Sequence, residues 1–280
     1  MKGALMSLPA SVTVRAQVEE QFHDAWARSL RVEELLVQET FHSPTAVENR
    51  HALQALGGTA ALRGKRVLDL GCGSGEAAVF FALHGAEVTG ADVSGEMLHV
   101  ADALAAHHGV SIRTVKILAE GMPFADEEFD CVYGNGLLHH VELEPAIQEI
   151  RRVLKSGGRA VFIEPLAHNP AIHLYRRLAR AVRTPTEQPF HMRHFDLVRR
   201  YFPSCDHREF WLLSLGIFAY YYLIERIDPG VDRYWRRIIR DGWRVQRAFR
   251  VLQGLDTALL RLLPGLRRWC WNTVIVVEKP

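Results

Sequence analysis

Three glycines in five positions, Gly71, Gly73 and Gly75, interrupt the stretch "VLDLGCGSGEAAVFFAL" (67–83) between an apolar strand-like run and an apolar helix-like run. Strand, glycine turn and helix in that order build the ligand crevice of doubly wound α/β folds, at the carboxyl ends of the strands. The glycines let backbone N–H groups approach a ligand closely, and the helix behind them adds the positive end of its dipole. A dinucleotide fingerprint would need its third glycine at 76, where the chain has Glu76, an acid that would repel a pyrophosphate. Asp69 closes the first strand, and Asp92 closes the second in "VTGADVS", 21 residues after Gly71. A carboxylate at 92 can accept both hydroxyls of a ribose as a charge-assisted pair.

The elements that must hold these residues are legible in the pattern from Lys65 onward. Short apolar strands ("RVLDL", "EVTGAD", "SIRTVKI", "FDCVYGN", "RAVFIEP") alternate with helical stretches at 76–84, 95–107 and 145–154. That alternation predicts a Rossmann-like, doubly wound, mostly parallel sheet with helices on both faces. Helical spacing over 12–40 predicts an N-terminal helical cap, followed by a turn-rich link, "FHSPTAVENR". "REFWLLSL" is expected as a strand and 217–268 as mostly helical, before "NTVIVVEKP" returns as an antiparallel last strand at the sheet edge. The expected division is a cap and lid over 1–60, a binding core over 61–216, a helical insertion over 217–268 and a last core strand over 269–280.

Composition fits an ordinary globular protein: 280 residues, 48% hydrophobic and 24% charged. Cys72, Cys131, Cys205 and Cys270 are far apart, which suggests neither a disulfide framework nor a cysteine zinc site. "MKGALMSLPASVTV" is a poor match to a signal peptide, and the apolar run 210–224 is shorter than the roughly 20 residues that a spanning helix needs. The expected location is the cytoplasm, with peripheral membrane contact left open. Residues 1–170 carry 14 basic and 22 acidic side chains, whereas 171–280 carry 20 and 10, so the second part is built to meet something anionic or to be solvated.

"VLDLGCGSGE" with "GADVS", "LAEGMPFADEEFDCVYGNGLLHHV" and "LKSGGRAVFIEP" together resemble a class I S-adenosylmethionine-dependent methyltransferase of the methyltransferase type 11 or ubiquinone-methyltransferase-like group. The resemblance covers roughly residues 40–165. It implies S-adenosylmethionine as cofactor. Asp69, Gly71, Cys72 and Gly73 would then line the methionine end, with Gly75 also cofactor-binding in the same turn; Asp92 would hold the ribose, and Val93 and Met97 would pack on the adenine. Ala119 and Glu120 fall in the family's adenine-edge loop, and Asn135 at the end of the fourth strand. Leu118 stands where family members commonly carry an acid, which leaves the adenine edge to backbone groups or to Glu120.

A sulfonium is already an activated methyl donor, so the protein has mainly to align an acceptor and exclude water, with a base if the acceptor is a hydroxyl. His139 and His140 are the expected base candidates, since the resemblance sets them near the donor methyl. His23, Asn49, Glu164, His168, Asn169 and His191 are weaker candidates for the acceptor pocket. No metal is expected: the pair in "HMRH" (191–194) has no acid or cysteine pattern beside it.

The arginines at 233, 236, 237, 240, 244 and 247 would share about 100° of one helix, opposite an apolar face. This is either a lid helix with solvated charges or a surface for anionic membrane; nucleic acid ranks last. The reading is a methyltransferase acting on a small lipophilic acceptor such as a quinone, lipid or polyketide-like molecule, the methylated atom (O, N or C) left open. Its rivals are an RNA methyltransferase and a cofactor-binding protein without turnover.

Overall fold

The computed structural model describes residues 10–280. Residues 1–9, which carry much of the N-terminal stretch compared above with a signal peptide, lie outside the described residues. Seven strands form one sheet: β1 (Arg66–Leu70), β2 (Glu87–Asp92), β3 (Arg113–Lys116), β4 (Phe129–Asn135), β5 (Leu154–Pro165), β6 (Ser204–Phe210) and β7 (Asn272–Glu278). Their order is β3-β2-β1-β4-β5-β7-β6. β1 to β5 run parallel, and β7 is antiparallel to both of its neighbours.

Side chains alternate across the sheet and divide the core into two apolar clusters. Val67, Val161, Ile163 and Val274 pack on one face with Phe80, Phe81 and Trp271. Leu68, Leu70, Phe162, Ile275 and Val277 pack on the other with Ile147, Ile150 and Phe195. The helix Gly95–His107 is started by Ser94, whose hydroxyl accepts the N–H of Met97.

The expectation of β7 at the sheet edge is corrected: β7 lies between β5 and β6, and β6 is the edge. The reason is in the side chains. "NTVIVV" is apolar on both faces and must be covered on both sides, whereas "SCDHREF" alternates exposed and half-buried positions over its first five residues and tolerates an open edge. "REFWLLSL" is likewise not one strand. The chain turns at Trp211, with φ of 69°, and the N–H groups of Leu212, Leu213 and Ser214 donate to the buried Asp256 carboxylate rather than to a neighbouring strand.

The arginine stripe is also corrected. It spans two helices, Tyr234–Arg240 and Gly242–Leu262, that break at Asp241 and Gly242. A Cβ at Gly242 would stand 1.9 Å from Ser43 Oγ, so only glycine permits that approach. There Ser43 and Thr45 donate to the carbonyls of Ile239 and Ile238 and tie the first helix down. Arg236 pairs with Glu76, Arg237 and Arg240 with Asp232 and Asp241, and Arg244 with Glu225 and Asp241. Most of the stripe is therefore neutralised from within the chain. No helix among the described residues is long and apolar enough to cross a membrane.

Candidate active site

A cavity of about 370 Å³ opens at the carboxyl ends of β1, β2 and β4, roofed by the helices Ala10–Ala27 and Tyr234–Arg240. That is the size of an ordinary small-molecule site.

Its first end is the glycine turn. Gly73 has φ of 50° and open space where a Cβ would stand, so its backbone faces the cavity bare. Its N–H donates to Asp92 Oδ2 at 2.9 Å, while Ser94 N–H donates to Asp92 Oδ1 at 2.9 Å. Both carboxylate oxygens keep lone pairs for further donors. Asp69 lines the same wall, and its Oδ2 is buried without a partner. Burial, reinforced by the charges of Asp92 and Glu76, raises Asp69 to about 7. Asp69 and Asp92 thus crowd one end and favour a positively charged ligand, with Glu76, ion-paired to Arg236, beside them.

Cys72, Val93, Ala119, Glu120 and Asn135 also face the cavity, as does Gly71. Glu120 is committed in part, since its Oε1 accepts the N–H of Glu142 at 2.9 Å. Gly75 and Met97 lie off the wall. A Cβ at Gly75 would stand 2.6 Å from that of Ala101, so this glycine serves close packing between two helices rather than ligand approach. Met97 is wholly buried.

The second end holds the two histidines, and each is backed by a carboxylate. His139 Nδ1 lies 2.7 Å from Glu164 Oε2, and Glu164 Oε1 accepts the N–H groups of Leu137 and Leu138. Burial raises Glu164 to about 7 and holds His139 well below the usual imidazole range, so His139 is neutral at the floor of the pocket. His140 Nδ1 lies 3.0 Å from Glu19 Oε1. Burial pushes Glu19 up, but the imidazoles of His140 and His23 beside it and the hydroxyl of Thr186 outweigh it and hold the carboxyl below the ordinary range. Thr184 also donates to Glu19, at 2.9 Å.

The structure therefore brings His139, His140, His23 and Asn49 to the wall, with Glu164 directly beneath His139. It does not bring His168, Asn169 or His191 there. Asn169 caps the helix Pro170–Leu178, its Oδ1 accepting from Ala171 and Ile172, and the rings of His168 and His191 pack edge to face on each other. His191 and His194 of "HMRH" likewise bond to one another. A different group, His139, His140 and Glu187, offers metal-ligand atoms within 4.8 Å of one another.

Glu19, Tyr133 and Glu187 are among the wall residues that escaped the sequence reading. Glu19 precedes His23 by four residues on one helix face, so the reading that placed His23 could have found it. Tyr133 shares a strand face with Asn135 two residues on, and its hydroxyl is buried without a partner. Glu187 lies in a polar loop that carries no periodic signal.

Residues 68–162 match the family described as "Methyltransferase domain". This stretch, about a third of the chain, is similar to a methyltransferase domain. Over 104 residues it is 36% identical to the uncharacterized methyltransferase YcgJ of Bacillus subtilis, taking in 36% of this chain and 41% of that protein. The crystal structure of YcgJ superposes with a TM-score of 0.52 at 22% identity, covering 82% of this chain and 99% of that one. The ubiquinone biosynthesis O-methyltransferase of Pseudomonas syringae is 40% identical over 121 residues, 41% of this chain and 50% of its own length. The chain thus spans half or less of these curated relatives. The [4+2]-cyclase SpnF superposes with a TM-score of 0.58 at 19% identity, covering 95% of this chain and 96% of that one. A cyclase with this architecture means that the fold alone does not name the reaction. Around residues 68–162, the N-terminal helices, the loop at 182–187 and residues 233–239 supply most of the rest of the cavity wall, with Ile163, Pro165, Trp271 and Asn272 from the sheet side.

Proposed function

We propose that the protein transfers a methyl group from S-adenosylmethionine to an oxygen of a small lipophilic acceptor, with His140 as the base. The cradle fits this cofactor: the unpartnered Asp69 oxygen suits its ammonium, Asp92 its ribose hydroxyls, and the crowded carboxylates its net positive charge. When bound, it supplies a methyl group already activated on sulfur. The chain's own residues then have to hold the acceptor in line, keep water out and take a proton. Phe22, Trp26 and Trp235 give the acceptor end aromatic walls.

The observation that carries this reading is the His140–Glu19 pair. A carboxylate fixed on Nδ1 sets the tautomer and leaves Nε2 to accept a proton, the arrangement a general base needs. The relative named for ubiquinone biosynthesis supports a quinol-like acceptor. Substitution His140→Ala should lower kcat by about 10²–10⁴-fold on a hydroxyl acceptor while leaving S-adenosylhomocysteine affinity by calorimetry intact. A variant at wild-type kcat would remove His140 from the mechanism.

A second feature supports peripheral contact with anionic lipid. The helix Gly242–Leu262 and the turn after it expose Trp243, Val251, Leu262 and Leu263 among Arg247, Arg250, Arg261 and Arg268. The one acid in that helix, Asp256, is turned inward. Apolar side chains set in a basic face suit a membrane surface. Co-sedimentation with phosphatidylglycerol vesicles, absent with phosphatidylcholine and lost in Trp243→Ser, is the expected result; equal behaviour of the two vesicles would dismiss the idea.

A further inference from the structure

Three arginines converge on one carboxylate at the acceptor end of the cavity. Arg183 and Arg233 stand on the wall, and Arg176, on the helix Pro170–Leu178, is near enough to feel the charges of Arg183 and Glu187. Arg183 is ion-paired with Glu187. Arg176 and Arg233 have no carboxylate within ion-pair distance among the described residues; the charge of Glu187 reaches both only from further away. Arg176 Nε and one of its terminal nitrogens are buried with no hydrogen-bond partner among the described residues. Arg233 donates to the Val182 carbonyl at 2.6 Å and lies 3.9 Å from the centre of the Trp26 ring, which leaves much of its guanidinium fork unused. The other arginines on this wall are matched, Arg15 by Glu142 and Arg236 by Glu76.

A surplus of buried positive charge is costly unless an anion completes it. Burial pulls both Arg176 and Arg233 down to about 10, helped by repulsion from Arg183 on Arg176 and from Arg236 and Arg183 on Arg233. The same surplus decides against the other ligand this corner could take. His139, His140 and Glu187 are spaced for a divalent cation, but Glu187 is held by Arg183 and two further arginines surround it.

We infer that the acceptor carries an anionic group, a carboxylate or a phosphate, which docks on Arg183 and Arg233 beside the aromatic wall. The inference rests on the proposed methyl transfer only in calling the ligand an acceptor. Planar guanidinium groups suit either anion because two parallel N–H donors match two of its oxygens. Trp26 and Phe22, against which Arg233 stacks, would hold the apolar part next to the charge.

The test uses the full chain and four probes of equal length: dodecanoate, dodecyl phosphate, dodecanol and dodecyltrimethylammonium, with tryptophan fluorescence as readout. Dodecanoate or dodecyl phosphate should bind at least 10-fold more tightly than dodecanol, and the arm that does so identifies the anion. Arg233→Met should erase that preference, and Arg233→Lys should keep most of it, which separates lost charge from lost folding. Equal binding of the alcohol and the anions would overturn the inference, as would a preference that survives Arg233→Met and Arg183→Met together. Tight binding of Mn²⁺ alone to the wild type would overturn the charge argument. S-adenosylhomocysteine binding is measured in parallel: its absence would sink the proposed cofactor while leaving the anion preference standing.

Discussion

The two ends of the one cavity are built from different material. The end at Gly71, Gly73, Asp69 and Asp92 is made from a contiguous stretch, residues 69–94, by backbone N–H groups and carboxylates held at strand ends. The end at Glu19, His140, Arg183 and Arg233 is made from side chains far apart in the chain, carried on helices and loops. The first is anionic and the second carries surplus arginine. A ligand of fixed shape can be met by main chain, whose geometry survives changes of side chain, whereas an acceptor that defines specificity has to be met by side chains. The division also keeps two unlike charges apart: a cationic donor at one end and, by our inference, an anionic group at the other.

Three measurements would break or sharpen that contrast. The largest effect is expected at Asp92. Loss of a carboxylate that anchors the Gly73 and Ser94 amides and would grip two hydroxyls should weaken S-adenosylhomocysteine binding by about 100-fold or more in Asp92→Ala, with anionic-probe affinity unchanged. Calorimetric affinity equal to wild type would detach the ribose from this residue. A smaller loss is expected at the other end: Glu19→Gln should reduce kcat by roughly 10- to 100-fold, as when the outer partner of a positioned histidine is removed, and should spare cofactor affinity. A variant that loses cofactor and keeps turnover per bound complex would reverse the assignment of ends.

The mildest effect concerns pH. Asp69 sits at about 7 because ionisation is penalised by burial and by neighbouring carboxylates. The ammonium of S-adenosylhomocysteine favours the ionised form, so binding releases a proton below that value. Affinity for S-adenosylhomocysteine should therefore rise as pH is raised from 6 toward 8, by at most about tenfold per unit, and level off above. Asp69→Asn should bind more weakly and with a flat profile; a wild-type profile with no slope would exclude Asp69 as the cation's partner.

The sequence by itself determined the parallel strands, the glycine turn and the acids at 69 and 92, because these follow from periodicity and from spacing within a few tens of residues, where local geometry is fixed by the chain. Even β7, expected at the edge, carried its true place in its two-faced apolar run. The tertiary structure alone decided which carboxylate backs which histidine, that Gly75 packs rather than binds, and that the arginine stripe is broken and mostly paired. The physical reason is range. Glu19 meets His140 across 121 residues of sequence and Arg236 meets Glu76 across 160. No local pattern encodes such contacts; they exist only once the apolar core has brought the helices over the sheet.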